Sequence, residues 1–502
     1  MSVGRIHLPS GVRLGRSELP VRAVWIAAAI ALGLTLGLMV ALKQTTYALG
    51  VVLLPCVVAL FNRPEWLPPV LMVTVFGEAL STGSVTLSRI GGPLALMVMV
   101  LALPGRRRMR LPKRGLIVAV VLYSSWALAS ALWTVNPDSG LSLGGTGFSL
   151  ASLALSIIYM LAFIMFVRTE RDIRRLIWVT WAMSTITAMV SVVQYASGYT
   201  RAVGVSGDAN FFAALQVVAL PLGALLAIEV RETRTRVIIL IGLAIGVGSI
   251  ITSLSRGGIL ALAAVFVMLS FQPAKAFFRT RARKRAFMAF VVIGAGILLI
   301  ASFSSLSARA STIFTSSDGG SGRTNLWLSA VAGWKQTPVI GMGFGAFIGQ
   351  SNRLLLETPG VDFSAYALRS TGQYVSNSYL ETLTELGVIG AALFIAMLAT
   401  LAYTLRSTAR RARTLGSPLL FAFTRAMMLA FAGFAFTSIF LSTETDRTQW
   451  VLIGLTVALP RVLLEEQARR GKLHGPSTAS ATVPMLATPG RTGHSGNQVP
   501  NV

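Results

Sequence analysis

Apolar runs separated by short polar breaks dominate this chain. Fourteen are readable, at about 24–42, 46–61, 68–80, 90–103, 116–133, 148–167, 176–196, 210–228, 237–254, 258–271, 286–306, 378–404, 418–441 and 448–463. A helix needs about 20 residues to cross a bilayer. The pattern therefore predicts an all-α polytopic membrane protein with 12–14 transmembrane helices. The third and fourth runs are short, and reading them as one re-entrant pair gives the lower count. One polar stretch, about 307–375, interrupts the series as a single large loop. Within it, residues 323–336 read as an amphipathic helix with Trp327, Val331 and Trp334 on one stripe. Such a stripe is expected to lie flat on the membrane interface. A tight glycine turn follows, Gly341-Met342-Gly343-Phe344-Gly345. The next span opens with Ser376-Asn377-Ser378-Tyr379-Leu380-Glu381, where Ser378 and Glu381 have capping-box spacing. Glu381 and Glu385 would be costly inside a span unless paired.

Composition excludes a soluble domain: 54% of the residues are hydrophobic, 12% are charged, and the mean hydropathy is +0.70. The net charge of +26 suggests nucleic acid until its placement is examined. With the N-terminus inside, cytoplasmic segments hold 33 of the 44 Lys/Arg, counting Arg461 at the inner end of the last run, and external segments 10, while Arg425 falls within a span. Clusters such as Arg106-Arg107-Arg108 are therefore topology signals facing anionic lipid, both termini are expected in the cytoplasm, and no nucleic-acid partner is implied. Three regions follow: a basic arm over 1–23, the bundle over 24–463, and a tail over 464–502 rich in Gly, Ser, Thr and Pro that is expected to be disordered. The basic N-terminus leads into an apolar run with no small-residue cleavage site after it, which does not resemble a cleavable signal peptide. The single cysteine, Cys56, lies in an apolar run and reads as packing.

Against this charge bias, three arginines are expected outside: Arg201, Arg256 and Arg323. Arg256 sits in Ser255-Arg256-Gly257-Gly258, between two spans with almost no loop. A guanidinium keeps its proton and can bond two phosphate oxygens at once. Adjacent glycines would let a phosphate approach the backbone amides as well. A lipid-linked diphosphate is thus the first candidate ligand; the competing reading has each arginine reaching for lipid headgroups. The histidines, His7, His474 and His494, all lie in the expected cytoplasmic arms. The loop acids Asp318, Glu357 and Asp362 form no DxD pair, and no phosphate-loop lysine motif is present. Neither a metal, an ATP site nor a cofactor is expected.

Several motifs occur in a telling order. Trp133-Thr134-Val135-Asn136-Pro137 is followed by Gly207-Asp208-Ala209-Asn210 and Ser255-Arg256-Gly257-Gly258. Then come Gly322-Arg323-Thr324-Asn325-Leu326-Trp327, the 338–347 segment, and Ser376-Asn377-Ser378-Tyr379-Leu380 leading into Glu385-Leu386-Gly387. This series resembles the O-antigen ligase and O-antigen polymerase superfamily over about 115–460, most strongly over 236–400. The resemblance implies a metal-independent glycosyltransferase in the bacterial cytoplasmic membrane, acting on its outer face. Its donor would be a glycan on a polyprenyl diphosphate, and its acceptor a glycan, lipid or protein. By motif, Arg256 and Arg323, with Arg201 less directly, correspond to the arginines that grip the diphosphate. Ser376, Asn377 and Glu381 would line the acceptor side, and Tyr379, Trp327 and Trp334 would pack on sugar or prenyl or anchor at the interface. Many relatives carry histidine where Ser376 stands, and a serine hydroxyl is no general base near neutral pH. Either a carboxylate (Glu381, Asp362 or Asp208) takes that role or leaving-group stabilisation does most of the work. A transporter or flippase of lipid-linked glycan or another anion is the alternative from a different class, and would place charges deep in several spans. A cell-wall glycosyltransferase of the shape-and-division type fits the motif order less well.

Overall fold

The computed structural model describes residues 62–78, 81–82, 85–102, 115–134, 146–272, 322–361 and 372–473, with Leu60 and scattered residues between 280 and 296. The arm over 1–23, the run at 24–42, nearly all of 46–61 and most of 286–306 lie outside the described residues, as do Asp318 and Asp362. The helices are α1 (Leu67–Phe76), α2 (Leu87–Ala102), α3 (Gly115–Ala129), α4 (Thr146–Phe166), α5 (Glu170–Ala196), α6 (Ala209–Glu229) and α7 (Thr233–Thr252). They continue as α8 (Arg256–Phe271), α9 (Arg323–Gln336), α10 (Phe347–Glu357), α11 (Ser378–Thr414), α12 (Pro418–Thr437) and α13 (Arg447–Leu473). Strands are limited, among the described residues, to a two-rung antiparallel hairpin, β1 (Ser81–Thr82) on β2 (Val85–Thr86), between α1 and α2.

Among the described residues, eight helices are long and apolar enough to cross a membrane, and the chain is an all-α, multi-pass membrane protein. The third apolar run yields α1, ten residues or roughly 15 Å, which is too short to cross by itself. Burial separates inner from outer helices: 89% of the apolar window of α6 is buried, against 33% for α3 and α11. The centre of the bundle is α6 packed on α5, α7, α8 and α12. Beside it, α13 packs on α4 and α11. Some polar groups in this interior pair with one another, which lowers the cost of burying them in a membrane. Gln216 accepts from the Ser184 hydroxyl at 2.6 Å and donates to the Ser184 carbonyl and Thr187 hydroxyl, each at 3.1 Å.

One end of the bundle carries the described basic runs: Arg168 to Arg175 at the start of α5, Arg231 to Arg236 at the α6–α7 turn, and Arg406 to Arg413 closing α11. Ion pairs tie it together, Arg174 with Glu229 at 3.0 Å and Arg470 with Glu466 at 3.0 Å. Arg470 also donates to the Gly416 carbonyl. These contacts, with the Arg461–Glu465 i,i+4 pair, carry α13 ten residues past 463, so the 464–502 tail is helical at its start rather than disordered throughout.

Residues 322–361 build a small second core at the other end. Leu326 and Ala330 of α9, Met342, Ala346, Phe347, Leu354, Leu355 and Val375 pack together there. The bounds of α9 agree with those read from the sequence, but its inner face does not. Asn325, Leu326, Ser329, Ala330 and Gly333 are buried, because small residues allow close approach to α10 and α11, while Trp327, Val331 and Trp334 are half-buried beside them.

The glycine turn at 341–345 meets a break in α11. Gly387 has φ 67°, outside the helical region, which interrupts the hydrogen-bond ladder of a spanning helix. The 338–343 segment satisfies the freed groups. Met342 and Gly343 amides donate to the carbonyls of Thr384 and Glu385 at 3.2 and 2.9 Å, and Val388 and Ile389 amides donate to Pro338 and Val339 at 3.0 and 3.4 Å. Trp126 of α3 donates to the Leu386 carbonyl at 3.0 Å. A Cβ at Gly341 would lie 2.3 Å from the Glu385 backbone, which is why glycine stands there.

Candidate active site

The starts of α6, α8, α9 and α11 converge with the 438–446 connection between α12 and α13 around a cavity of about 590 Å³. Each contributing segment is held by its own local chemistry. Asp208 caps α6, accepting from the amides of Asn210 and Phe211 at 2.8 and 3.0 Å. Ser255 caps α8, accepting from the Gly258 amide at 3.2 Å, so Arg256 is the first residue of that helix. Asn210 joins the two: its Oδ1 accepts from the Ser255 hydroxyl at 2.9 Å and from Arg201 Nη2 at 3.2 Å. Arg201 also donates to the Ser253 carbonyl at 3.4 Å. Motifs far apart in sequence thus form one polar unit.

Arg201, Arg256 and Arg323 all line the cavity. Arg323 opens α9 and sits over the Phe440 ring at 5.7 Å. The glycines after Arg256 serve packing rather than an open approach to the backbone. A Cβ on Gly257 would meet Phe440 at 2.9 Å, and one on Gly258 would meet Ala213 at 2.4 Å.

Carboxyls enter the same cavity from α11 and from the 438–446 connection between α12 and α13. Glu385 is a clamp, accepting from the amides of Gly345 at 2.7 Å and Phe347 at 3.1 Å. Glu381 accepts from the Ser442 hydroxyl. Glu444 is 6% exposed, also lines the cavity, and was not singled out by the sequence. The signal for it was modest: an acid in Ser442-Thr443-Glu444-Thr445-Asp446, a short connection between two spans of a chain with only 18 Asp and Glu. Burial pushes its carboxyl up to about 8, with the nearby Glu385 adding to the rise and hydrogen bonding from its own backbone and Ser378 opposing it.

Ser376 lines the cavity, whereas Asn377 is not among its lining residues. Asn377 is the true N-cap of α11; its Oδ1 accepts from the amides of Tyr379 and Leu380, both at 3.1 Å. The capping-box reading of Ser378 with Glu381 is therefore corrected. Ser378 is drawn instead to the 441–443 segment, donating to the Leu441 carbonyl at 2.7 Å. Tyr379 also turns inward: its hydroxyl donates to the Ala435 carbonyl at 2.7 Å and its ring lies 6.0 Å from Phe394. Asp208 lines the cavity while capping α6. Among the described residues, Leu254 and Ser376 are the non-glycine residues with positive φ, 50° and 56°. Each costs roughly 1–3 kcal/mol. They fall two residues before Arg256 and one before Asn377, where the chain must turn sharply into a helix.

Residues 241–395 match the family model described as O-Antigen ligase. This interval falls wholly within 236–400, where the motif resemblance is strongest, and it contains Arg256, Arg323, Ser376, Glu381 and Glu385. No curated protein matches the chain. Helices long and apolar enough to span a membrane, a cavity lined by motif residues and the match over residues 241–395 together support an O-antigen ligase/polymerase-like family and a general role in glycan ligation or polymerisation.

Proposed function

We propose that this protein transfers a glycan from a polyprenyl diphosphate to an acceptor glycan, lipid or protein on the outer face of the bacterial cytoplasmic membrane, as a polysaccharide polymerase or glycan ligase. The observation that carries this reading is the meeting of Arg201, Arg256 and Arg323 in one cavity, from three separate segments. Three permanent cations, at the end of the bundle opposite the described basic runs, suit an anion of at least two charges. The diphosphate is that anion. The acceptor hydroxyl attacks the anomeric carbon, and the polyprenyl diphosphate departs with the bonding electrons. Charge growing on its bridging oxygen is met by preorganised guanidinium groups, so the arginines act most strongly as the bond breaks.

The cavity lies at the end opposite the basic runs, which supports the outer face. With Cys56 replaced, cysteines introduced at Ser316 and Ser477 should react with an impermeant thiol reagent from outside and only after permeabilisation, respectively. The reverse pattern would put the cavity in the cytoplasm and remove the donor from reach.

Release of polyprenyl diphosphate is the product common to any acceptor. Membrane vesicles loaded with the cell's own lipid-linked glycans should release it without ATP and in excess EDTA. A strict requirement for Mg²⁺ or Mn²⁺ would overturn the metal-independent chemistry, and absence of release would overturn transfer itself.

A further inference from the structure

Four carboxyls line the cavity, and they are not equivalent: Asp208 accepts from the amides of Asn210 and Phe211 as the cap of α6. Glu385 spends both oxygens on the amides of Gly345 and Phe347, holding the glycine turn against α11. Glu381 takes the Ser442 hydroxyl and so ties α11 to the 438–446 connection. Glu444 has an oxygen, Oε1, that is buried and has no hydrogen-bond partner among the described residues. A buried carboxyl oxygen without a partner is costly and calls for an explanation. Its backbone is nonetheless fixed on both sides. The Trp450 indole donates to the Glu444 carbonyl at 2.9 Å, the Thr443 amide donates to Ser378 Oγ at 2.8 Å, and the Ser156 hydroxyl donates to the Thr445 carbonyl at 2.6 Å. A rigid mount that holds a buried carboxyl, one oxygen of it without a partner among the described residues, on the wall of a substrate-sized cavity is the arrangement expected of a proton acceptor.

We propose that Glu444 takes the proton of the attacking acceptor hydroxyl. This role rests on the glycan-transfer reading above and supplies the base that Ser376 cannot. As the acceptor oxygen bonds to the anomeric carbon, its proton passes to the Glu444 carboxylate. The bond from that carbon to the diphosphate breaks, with the electron pair leaving on polyprenyl diphosphate. The protonated Glu444 then returns its proton to water.

The surroundings decide the pH dependence. Glu381 and Glu385 face Glu444 from α11, and the Tyr123 phenol from α3. Across the same cavity stand Arg201, Arg256, Arg323 and Asp208. Asp446 and Arg447 follow in the chain, with Arg447 paired to Glu78. Burial and the neighbouring carboxylate hold the Glu444 proton on until about pH 8. The active form is the deprotonated one, so transfer should rise as pH climbs through about 8.

The test measures polyprenyl diphosphate release from glycan-loaded vesicles, and separately the binding of undecaprenyl diphosphate to purified protein. Glu444→Gln should lose at least about a hundredfold in release, keep undecaprenyl diphosphate binding, and lose the rising limb; Glu444→Asp should restore part of the rate with the limb. Release by Glu444→Gln close to wild type would overturn the base role. So would loss of diphosphate binding in that variant, which would make Glu444 structural. A wild-type profile flat from about pH 6 to about pH 9 would overturn it without any variant. These failures leave the wider reading intact as long as wild type releases polyprenyl diphosphate and Arg256→Ala does not. If wild type releases none, both fall together.

Discussion

Replacing Arg256 or Arg323 by alanine is expected to reduce glycan transfer at least about a hundredfold while leaving the protein inserted and folded. Both side chains line the cavity and begin helices whose N-terminal ends face it, so each loss removes a charge-assisted contact that strengthens as the diphosphate departs. A few kcal/mol of lost transition-state stabilisation corresponds to that factor. Lysine at either position keeps the charge but not the two-pronged geometry and should rescue only partly. Arg201→Ala should cost less in chemistry than in order, since this guanidinium is engaged with Asn210 and the Ser253 carbonyl. Ser376→Ala should be far milder than either, because its hydroxyl is not asked to move a proton. Release of polyprenyl diphosphate, with detergent-extracted yield as the folding control, measures all four. Near-normal release by both Arg256→Ala and Arg323→Ala would reduce these arginines to headgroup anchors and sink the diphosphate site.

Gly387→Ala is expected to be the most damaging small substitution outside the cavity. Its Cβ would lie 2.1 Å from the Val339 carbonyl, and the backbone there has φ 67°. The left-handed conformation costs a non-glycine residue roughly 1–3 kcal/mol. Relieving the clash also means moving the 338–343 segment, whose four backbone hydrogen bonds to α11 are each worth about 0.5–1.5 kcal/mol. A loss of roughly 3–5 kcal/mol would leave little of a typical folding free energy. The variant should show a depressed thermal midpoint in detergent and faster proteolysis within 322–361. Gly296→Ala, where a Cβ meets nothing among the described residues, is the control. A Gly387→Ala protein as stable as wild type would mean that the 338–343 segment is not what satisfies the break in α11.

Much of this architecture was legible along the chain. The spans from 116 to 271 and from 378 to 463 begin and end close to where apolar runs do, because a bilayer leaves the backbone no partner but its own helix. The helix at Arg323–Gln336 was readable for a similarly local reason, its apolar period. Its inner face was not, since tryptophan stripes suggested the interface while Ser329, Ala330 and Gly333 are what α10 and α11 accept. The start of α11 shows the limit more sharply. Asn377 and Ser378 are both good capping residues, and nothing local chooses between them. The choice falls to Asn377 because Ser378 is claimed by Leu441 and Thr443, which lie beyond the next span.

Sequence alone determined that this is a multi-span helical protein with its positive charge biased to one side, and that arginine-bearing motifs recur in an order shared with O-antigen ligases and polymerases. Those properties are local or additive: apolar length, charge count, and motif order. Tertiary structure alone decided that Arg201, Arg256 and Arg323 share a cavity, that Glu385 is a clamp, and that Glu444 lines the same cavity with one buried oxygen unpartnered among the described residues. Whether a carboxyl is a strut or a proton acceptor depends on which donors other segments bring within about 3 Å of it, and only the packed bundle sets that distance.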